Sequence, residues 1–95
     1  VRIFSQQSVD CFFRIPEGYA EHGRALGWDF DGTNGDLLSP NRVASHTGYT
    51  GTSIAIDLDL EVTIILLTNR VHPKDRGGVA RTRNVVSNIV AAALE

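Results

Sequence analysis

The chain has 95 residues, 42% of them hydrophobic and 21% charged, with nine Lys and Arg against eleven Asp and Glu for a net charge of −2. This is the composition of an ordinary soluble globular protein of one domain, and basic residues scattered along the chain exclude a nucleic-acid footprint. The single cysteine, Cys11, excludes an internal disulfide and a Cys-based zinc site. No apolar run approaches the ~20 residues of a membrane helix, and no signal-peptide pattern is present. The sequence opens on Val1 rather than Met, which fits a processed, truncated or partial chain.

Ser5–Ile15, SQQSVDCFFRI, predicts a short helix. Ser5 is placed to cap it, and Val9, Phe12 and Phe13 share a face; Pro16 and Gly18 stop it. Cys11, beside two phenylalanines, reads as a buried core thiol. Arg24–Phe30, RALGWDF, alternates Leu26, Trp28 and Phe30 against Ala25, Gly27 and Asp29, which predicts a half-buried strand. Asp31–Gly35, DGTNG, reads as a tight turn. SHTGYTG, residues 45–51, reads as a loop entering the strand TSIAIDL, in which Ile54, Ile56 and Leu58 share a face. DLDLE, 57–61, holds a reversal. Val62–Asn69 is apolar on both faces, as a covered central strand is. Arg70–Gly78 is a loop. The end of the chain predicts an amphipathic helix with a stripe of Val79, Thr82, Val86, Ile89 and Ala93, widened by Val85, Val90 and Leu94.

These elements predict an α+β fold, an antiparallel sheet flanked by a short N-terminal helix and a C-terminal helix, both on one face. The far face of 62–69, with Thr63, Ile65 and Leu67, is left without a cover. Either it is exposed or a partner lies on it.

SHTGYTG concentrates the chemistry. Gly48 permits close approach of another backbone, and a strand edge offers N–H groups that can meet a developing oxyanion. Thr47 and His46 add a hydroxyl and a switchable cation. Here the sequence resembles a family. HTGYTGTSIAIDLDLEVTIILLTNRVHP, 46–73, looks like the C-terminal part of the serine β-lactamase and penicillin-binding-protein-like hydrolases, and most of all their class C-related, esterase-like branch. ALGWDF resembles that family's Gly-Leu-Gly-Trp strand, and the terminal helix fits as well.

The resemblance implies a β-lactamase-like α/β sandwich of which residues 1–95 form a single partial domain, its C-terminal segment. It implies that His46-Thr47-Gly48 is the third catalytic element, Lys/His-Thr/Ser-Gly, on the strand lining the site. His46 and Thr47 would orient substrate, and the backbone N–H of Tyr49 would form half of an oxyanion hole. His46 in place of the commoner Lys makes the charge pH-dependent and favours esterase or peptidase relatives. The first element, Ser-x-x-Lys, is missing: the only lysine is Lys74, and Val71 stands three residues before it. Ser39-Pro40-Asn41 has the letters of the second element but reads as a turn.

A Ser-His-Asp triad drawn from Ser45 or Ser53, from His22, His46 or His72, and from Asp29 or Asp57 is a rival, without a nucleophile elbow to support it. The three histidines share no local metal motif. The expected function is the C-terminal portion of a serine hydrolase acting on an ester, amide or lactam, inactive alone, with no cofactor or metal. Expected partners are the missing N-terminal part of the fold or a second copy, with no nucleic acid and no membrane segment. The alternative is a small non-enzymatic binding or self-association domain. The resemblance alone suggests a bacterial periplasmic or extracellular setting.

Overall fold

The structure, a computed structural model, describes residues 2–19, 22–30, 35–75 and 77–94. Its elements run α1 (Gln6–Phe12), β1 (Val43–Thr47), β2 (Ser53–Asp57), β3 (Val62–Leu66) and α2 (Val79–Ala93). The three strands form an antiparallel sheet in the order β1-β2-β3, an α+β arrangement as the sequence predicts.

The register fixes the two faces. Ser45 lies opposite Ala55, and Ala55 opposite Ile64. Because side chains alternate across a strand, residues 43, 45 and 47, 53, 55 and 57, and 62, 64 and 66 share the face that α2 covers. Leu38, Val43, Ala55, Ile64 and Ala91 form the core, with Val62, Val86 and Val90 packed against it.

The helix meets the sheet on a stripe that shares Val86 and Val90 with the predicted one but is centred elsewhere. Its buried residues are Ser87 and Ala91, and Arg83, Val86 and Val90 are half-buried, while Ile89 is 63% exposed and Val85 and Leu94 also face solvent. The cause is space. Ala55 and Ser45 give the sheet a shallow surface at its middle, and only the small Ser87 and Ala91 let the helix approach it closely. Apolar periodicity alone weights Ile89 more heavily than Ser87, and so rotates the helix in the wrong sense.

Five further expectations are corrected. Residues 24–29 form no strand but a tight turn with Gly27 at φ +80°, joined by isolated bridges between Arg24 and Asp29 and between Asp29 and Ser45. The strand expected after SHTGYTG is present as β2, but an unexpected strand precedes the glycines: His46 and Thr47 end β1. Helix α1 buries no residue and adds nothing to the core under α2. It is capped by Ser5, whose hydroxyl accepts from Ser8 N at 3.1 Å, and Phe13 beside it packs on Trp28 with ring centroids 5.7 Å apart. Cys11 is half-buried rather than a core residue. Finally, β3 stands last in the strand order rather than in the centre, with Ile65 at 62% and Leu67 at 77% exposure.

The predicted reversal after Asp57 is present. Asp57, 1% exposed, accepts from Ser39 N at 2.7 Å, Leu60 N at 2.9 Å and Asp59 N at 3.0 Å. Burial pushes its pKa up, but the bonds from Leu60, Ser39 and Asp59 outweigh that and hold it below the ordinary carboxylate value. Of the predicted turn Asp31–Gly35, residues 31–34 lie outside the described residues. Ser39-Pro40-Asn41 is a turn, with Asn41 at φ 59°.

Candidate functional site

The open edge of β1 is set by one rung. Asp29 N donates to Ser45 O at 2.8 Å and Ser45 N to Asp29 O at 2.9 Å. In an antiparallel strand the backbone polar groups alternate between the two sides. With Ser45 turned outward, Val43 and Thr47 also turn outward, while Ala44 and His46 turn toward β2. Gly48 N, donating to Thr52 O at 2.8 Å, continues that alternation. Thr47 therefore presents its N–H and C=O at the outer edge, beyond the Asp29 rung.

After Gly48 the chain reverses. Gly51 N donates to Gly48 O at 3.0 Å. Tyr49 and Thr50 are absent from the positive-φ residues of the chain, so the turn is type I, the common type with both central residues at negative φ. Two glycines are needed here for space. A Cβ on Gly48 would lie 2.2 Å from Thr52 Oγ1, and one on Gly51, at φ +116°, would lie 2.7 Å from Thr68 Oγ1.

All five carbonyls of residues 48–52 are held by donors. Gly48 O takes Gly51 N, and Thr52 O takes Gly48 N. Arg83 Nη2 reaches both, at 3.5 Å and 3.1 Å. Tyr49 O accepts from Arg70 Nε, Thr50 O from Arg70 N at 2.7 Å, and Gly51 O from Thr68 Oγ1 at 2.7 Å. The Arg70 guanidinium also lies 5.0 Å from the centroid of the Tyr49 ring, a cation–π distance. Among the described residues nothing accepts from Tyr49 N–H. The turn thus has its carbonyls tied down and a donor left over at the strand end.

The predicted site residues fall as follows. Thr47, Gly48 and Tyr49 are consecutive along this edge and turn. His46 is exposed, its side chain on the opposite sheet face from Ser45 and Thr47, and its Nδ1–H donates to Thr47 O at 3.0 Å. Ser45 Oγ is engaged with Asp29 O at 3.2 Å. Asp57, with its three backbone donors, sits at the other end of β2 from Ser53, so those two do not come together. Asn69 Oδ1 caps the loop after β3 by accepting from Val71 N and His72 N at 3.0 and 3.1 Å.

Behind the strand end is a cavity of about 120 Å³, lined by Ser45, Thr47 and Ser53 from the sheet and Ala80, Arg83 and Ser87 from α2. Arg83 Nε is enclosed and has no hydrogen-bond partner among the described residues. Sequence reading missed the three side chains that hold the turn, Thr68, Arg70 and Arg83. Arg83 has a faint signal, since it stands four residues before Ser87 and eight before Ala91, on the stripe that faces the sheet.

The family profile described as Beta-lactamase matches residues 4–87. The chain belongs to the beta-lactamase family. This beta-lactamase-family chain is 36% identical over 78 residues to an Escherichia coli (strain K12) protein named "Putative D-alanyl-D-alanine carboxypeptidase", covering 76% of this chain and 17% of that protein. A protein of the same name from Salmonella paratyphi B is 33% identical over 99 residues, covering 98% of this chain and 22% of its own length. The chain therefore spans 17 to 22% of the length of these curated relatives. No solved structure matches. The match places the chain in the serine β-lactamase and penicillin-binding-protein-like family.

Proposed function

We propose that this chain forms the oxyanion-side wall of an acyl-transfer site, with Tyr49 N–H as one of the two donors. The observation that carries the proposal is the turn itself: five tethered carbonyls, with the Tyr49 N–H at an open strand end left without an acceptor among the described residues. His46 and Thr47 flank that donor and orient the substrate. The nucleophile comes from a Ser-x-x-Lys element that these 95 residues do not contain, so the 95 residues alone do not turn over substrate. The reading takes residues 1–95 as the C-terminal segment of the family's fold.

The reaction runs in two stages. The serine Oγ attacks the carbonyl carbon of an ester, amide or lactam, and its proton passes to the neighbouring base. Negative charge gathers on the carbonyl oxygen as the tetrahedral species forms, and there Tyr49 N–H donates. Collapse breaks the bond to the alcohol or amine, which takes up the proton. Water then attacks the acyl-serine in the same geometry and releases the acid. Preorganisation is the source of the rate, because the donor does not reorient during the step. The relatives' name adds a candidate substrate, a peptide ending in two D-alanines.

The test uses Tyr49→Pro and Tyr49→Ala in the protein carrying the nucleophilic serine. Proline suits the second position of a type I turn and removes the N–H together with the ring. Alanine keeps the N–H and removes the ring that faces Arg70. Acylation by a nitrophenyl ester should fall on the order of 10²- to 10³-fold in Tyr49→Pro relative to Tyr49→Ala. Equal rates in the two folded variants would end the oxyanion assignment.

A further inference from the structure

We propose that Arg83 on α2 is a positioning residue, which aims the Tyr49 N–H by holding the other end of its own peptide group. The inference rests on the acyl-site reading above. Gly48 C=O and Tyr49 N–H belong to one peptide unit, and that unit is planar and trans. Its C=O and N–H therefore point in opposite directions. Whatever fixes Gly48 O inward fixes Tyr49 N–H outward.

Two donors fix it. Gly51 N–H bonds Gly48 O at 3.0 Å across the turn, and Arg83 Nη2 approaches the same oxygen at 3.5 Å. The second contact is long. The firmer anchor of Arg83 is Thr52 O at 3.1 Å, which also accepts from Gly48 N at 2.8 Å. One guanidinium thus spans both residues of the last backbone pair before the turn. It reaches them from a different element, across the helix–sheet interface, with Nε enclosed.

The charge matters as well as the reach. A cation beside a peptide oxygen polarises the whole unit and makes its N–H a better donor, an effect strengthened where water is scarce. Arg83 would then set both the direction and the strength of the donor without touching substrate. The Ser87–Ala91 stripe is what brings the helix near enough for this. The cavity beside Arg83 has room for several waters, so Nε can be satisfied without moving the guanidinium off the turn.

The experiment combines Arg83→Met, which keeps most of the stem and removes the donors, and Arg83→Lys, which restores a cation. Each is made with and without Tyr49→Pro in the serine-bearing protein. Arg83→Met should lower the acylation rate on the order of 10- to 100-fold, as a small misplacement of a catalytic group does, with KM for the ester changed less than about 2-fold. Arg83→Lys should recover part of the loss.

In the Tyr49→Pro background Arg83→Met should cost nothing more, because the donor through which it acts is gone. Amide exchange by NMR should show Gly51 losing protection in Arg83→Met while Ile64 keeps its own. If Arg83→Met does not fold, Arg83→Lys and Arg83→Gln carry the same cycle. A harmful Tyr49→Pro with a harmless Arg83→Met, or full additivity of the two, overturns the role of Arg83 alone. A harmless Tyr49→Pro overturns the acyl-site reading and this inference with it.

Discussion

Strand β2 is entered and left by two reversals that solve the same problem in opposite ways. At the β2–β3 end, a single buried carboxylate gathers the loose N–H groups. Asp57 bonds Ser39, Asp59 and Leu60, all within or next to its own hairpin. At the β1–β2 end, the turn holds itself by one backbone bond, and side chains from after β3 and from α2 tie its carbonyls. The first reversal uses up donors. The second uses up acceptors and leaves a donor outward. A closed structural corner and the wall proposed for a developing anion are thus distinguished by which half of the peptide group the side chains take up.

The sharpest way to break the comparison is at Asp57. Asp57→Ala strands three donors and should destabilise the fold on the order of 3 kcal/mol, while leaving acylation per folded molecule unchanged. The pH dependence follows from the lowered pKa. The folded state binds the Asp57 proton less readily than the unfolded chain does. Its stabilisation is therefore complete above the usual carboxylate pKa of ~4 and is lost as pH falls through the lower folded value. Acid titrations of stability should show a shallower acid limb in Asp57→Ala. An unchanged limb would mean that Asp57 does not secure its corner.

At the other end, Gly48→Ala drives a Cβ to within 2.2 Å of Thr52 Oγ1. The expected loss is about 1–3 kcal/mol, typical of overpacking. Because the clashing atom is that hydroxyl, while Thr52 Cβ lies at 3.6 Å, adding Thr52→Ala should restore most of the stability in chemical denaturation. If acylation stays low in the restored double variant, the glycine is also needed for substrate approach. Full recovery of activity would assign Gly48 to the turn alone.

His46→Lys should have the smallest effect. The side chain is exposed and on the face away from α2, so unfolding free energy should move by less than about 0.5 kcal/mol. A larger change in the denaturation midpoint would show that the bond from Nδ1 to Thr47 O helps to hold the edge.

How far the sequence reveals this architecture differs between the same two ends. The β2–β3 hairpin is legible because alternating Ile54 and Ile56, an acidic reversal and an apolar run are local signals, and two of the three donors to Asp57, Asp59 N and Leu60 N, lie within the hairpin itself. Helix α2 is legible as an element, but its orientation is not, since the surface it meets is built from Ala55 and Ser45, far from it in sequence. The segment around Trp28 alternates like a strand, yet Gly27 at positive φ folds it back, and only Asp29 reaches the sheet. His46-Thr47-Gly48 stands out as a motif. What aims it does not, because Arg70 and Arg83 look in sequence like ordinary surface arginines, and their partners are backbone oxygens, which leave no mark on residue identity.

The Asp29–Ser45 rung has a consequence of another kind. A bare outer strand is a template on which other chains can zip into fibrillar stacks. Of the three outward rungs of β1, at Val43, Ser45 and Thr47, the middle one is already taken by a residue of the same molecule. No incoming strand can therefore run the length of this edge, and two copies of β1 cannot pair along it. A single rung remains usable beyond Asp29, which is long enough to grip one peptide unit of a bound molecule and too short to nucleate a sheet.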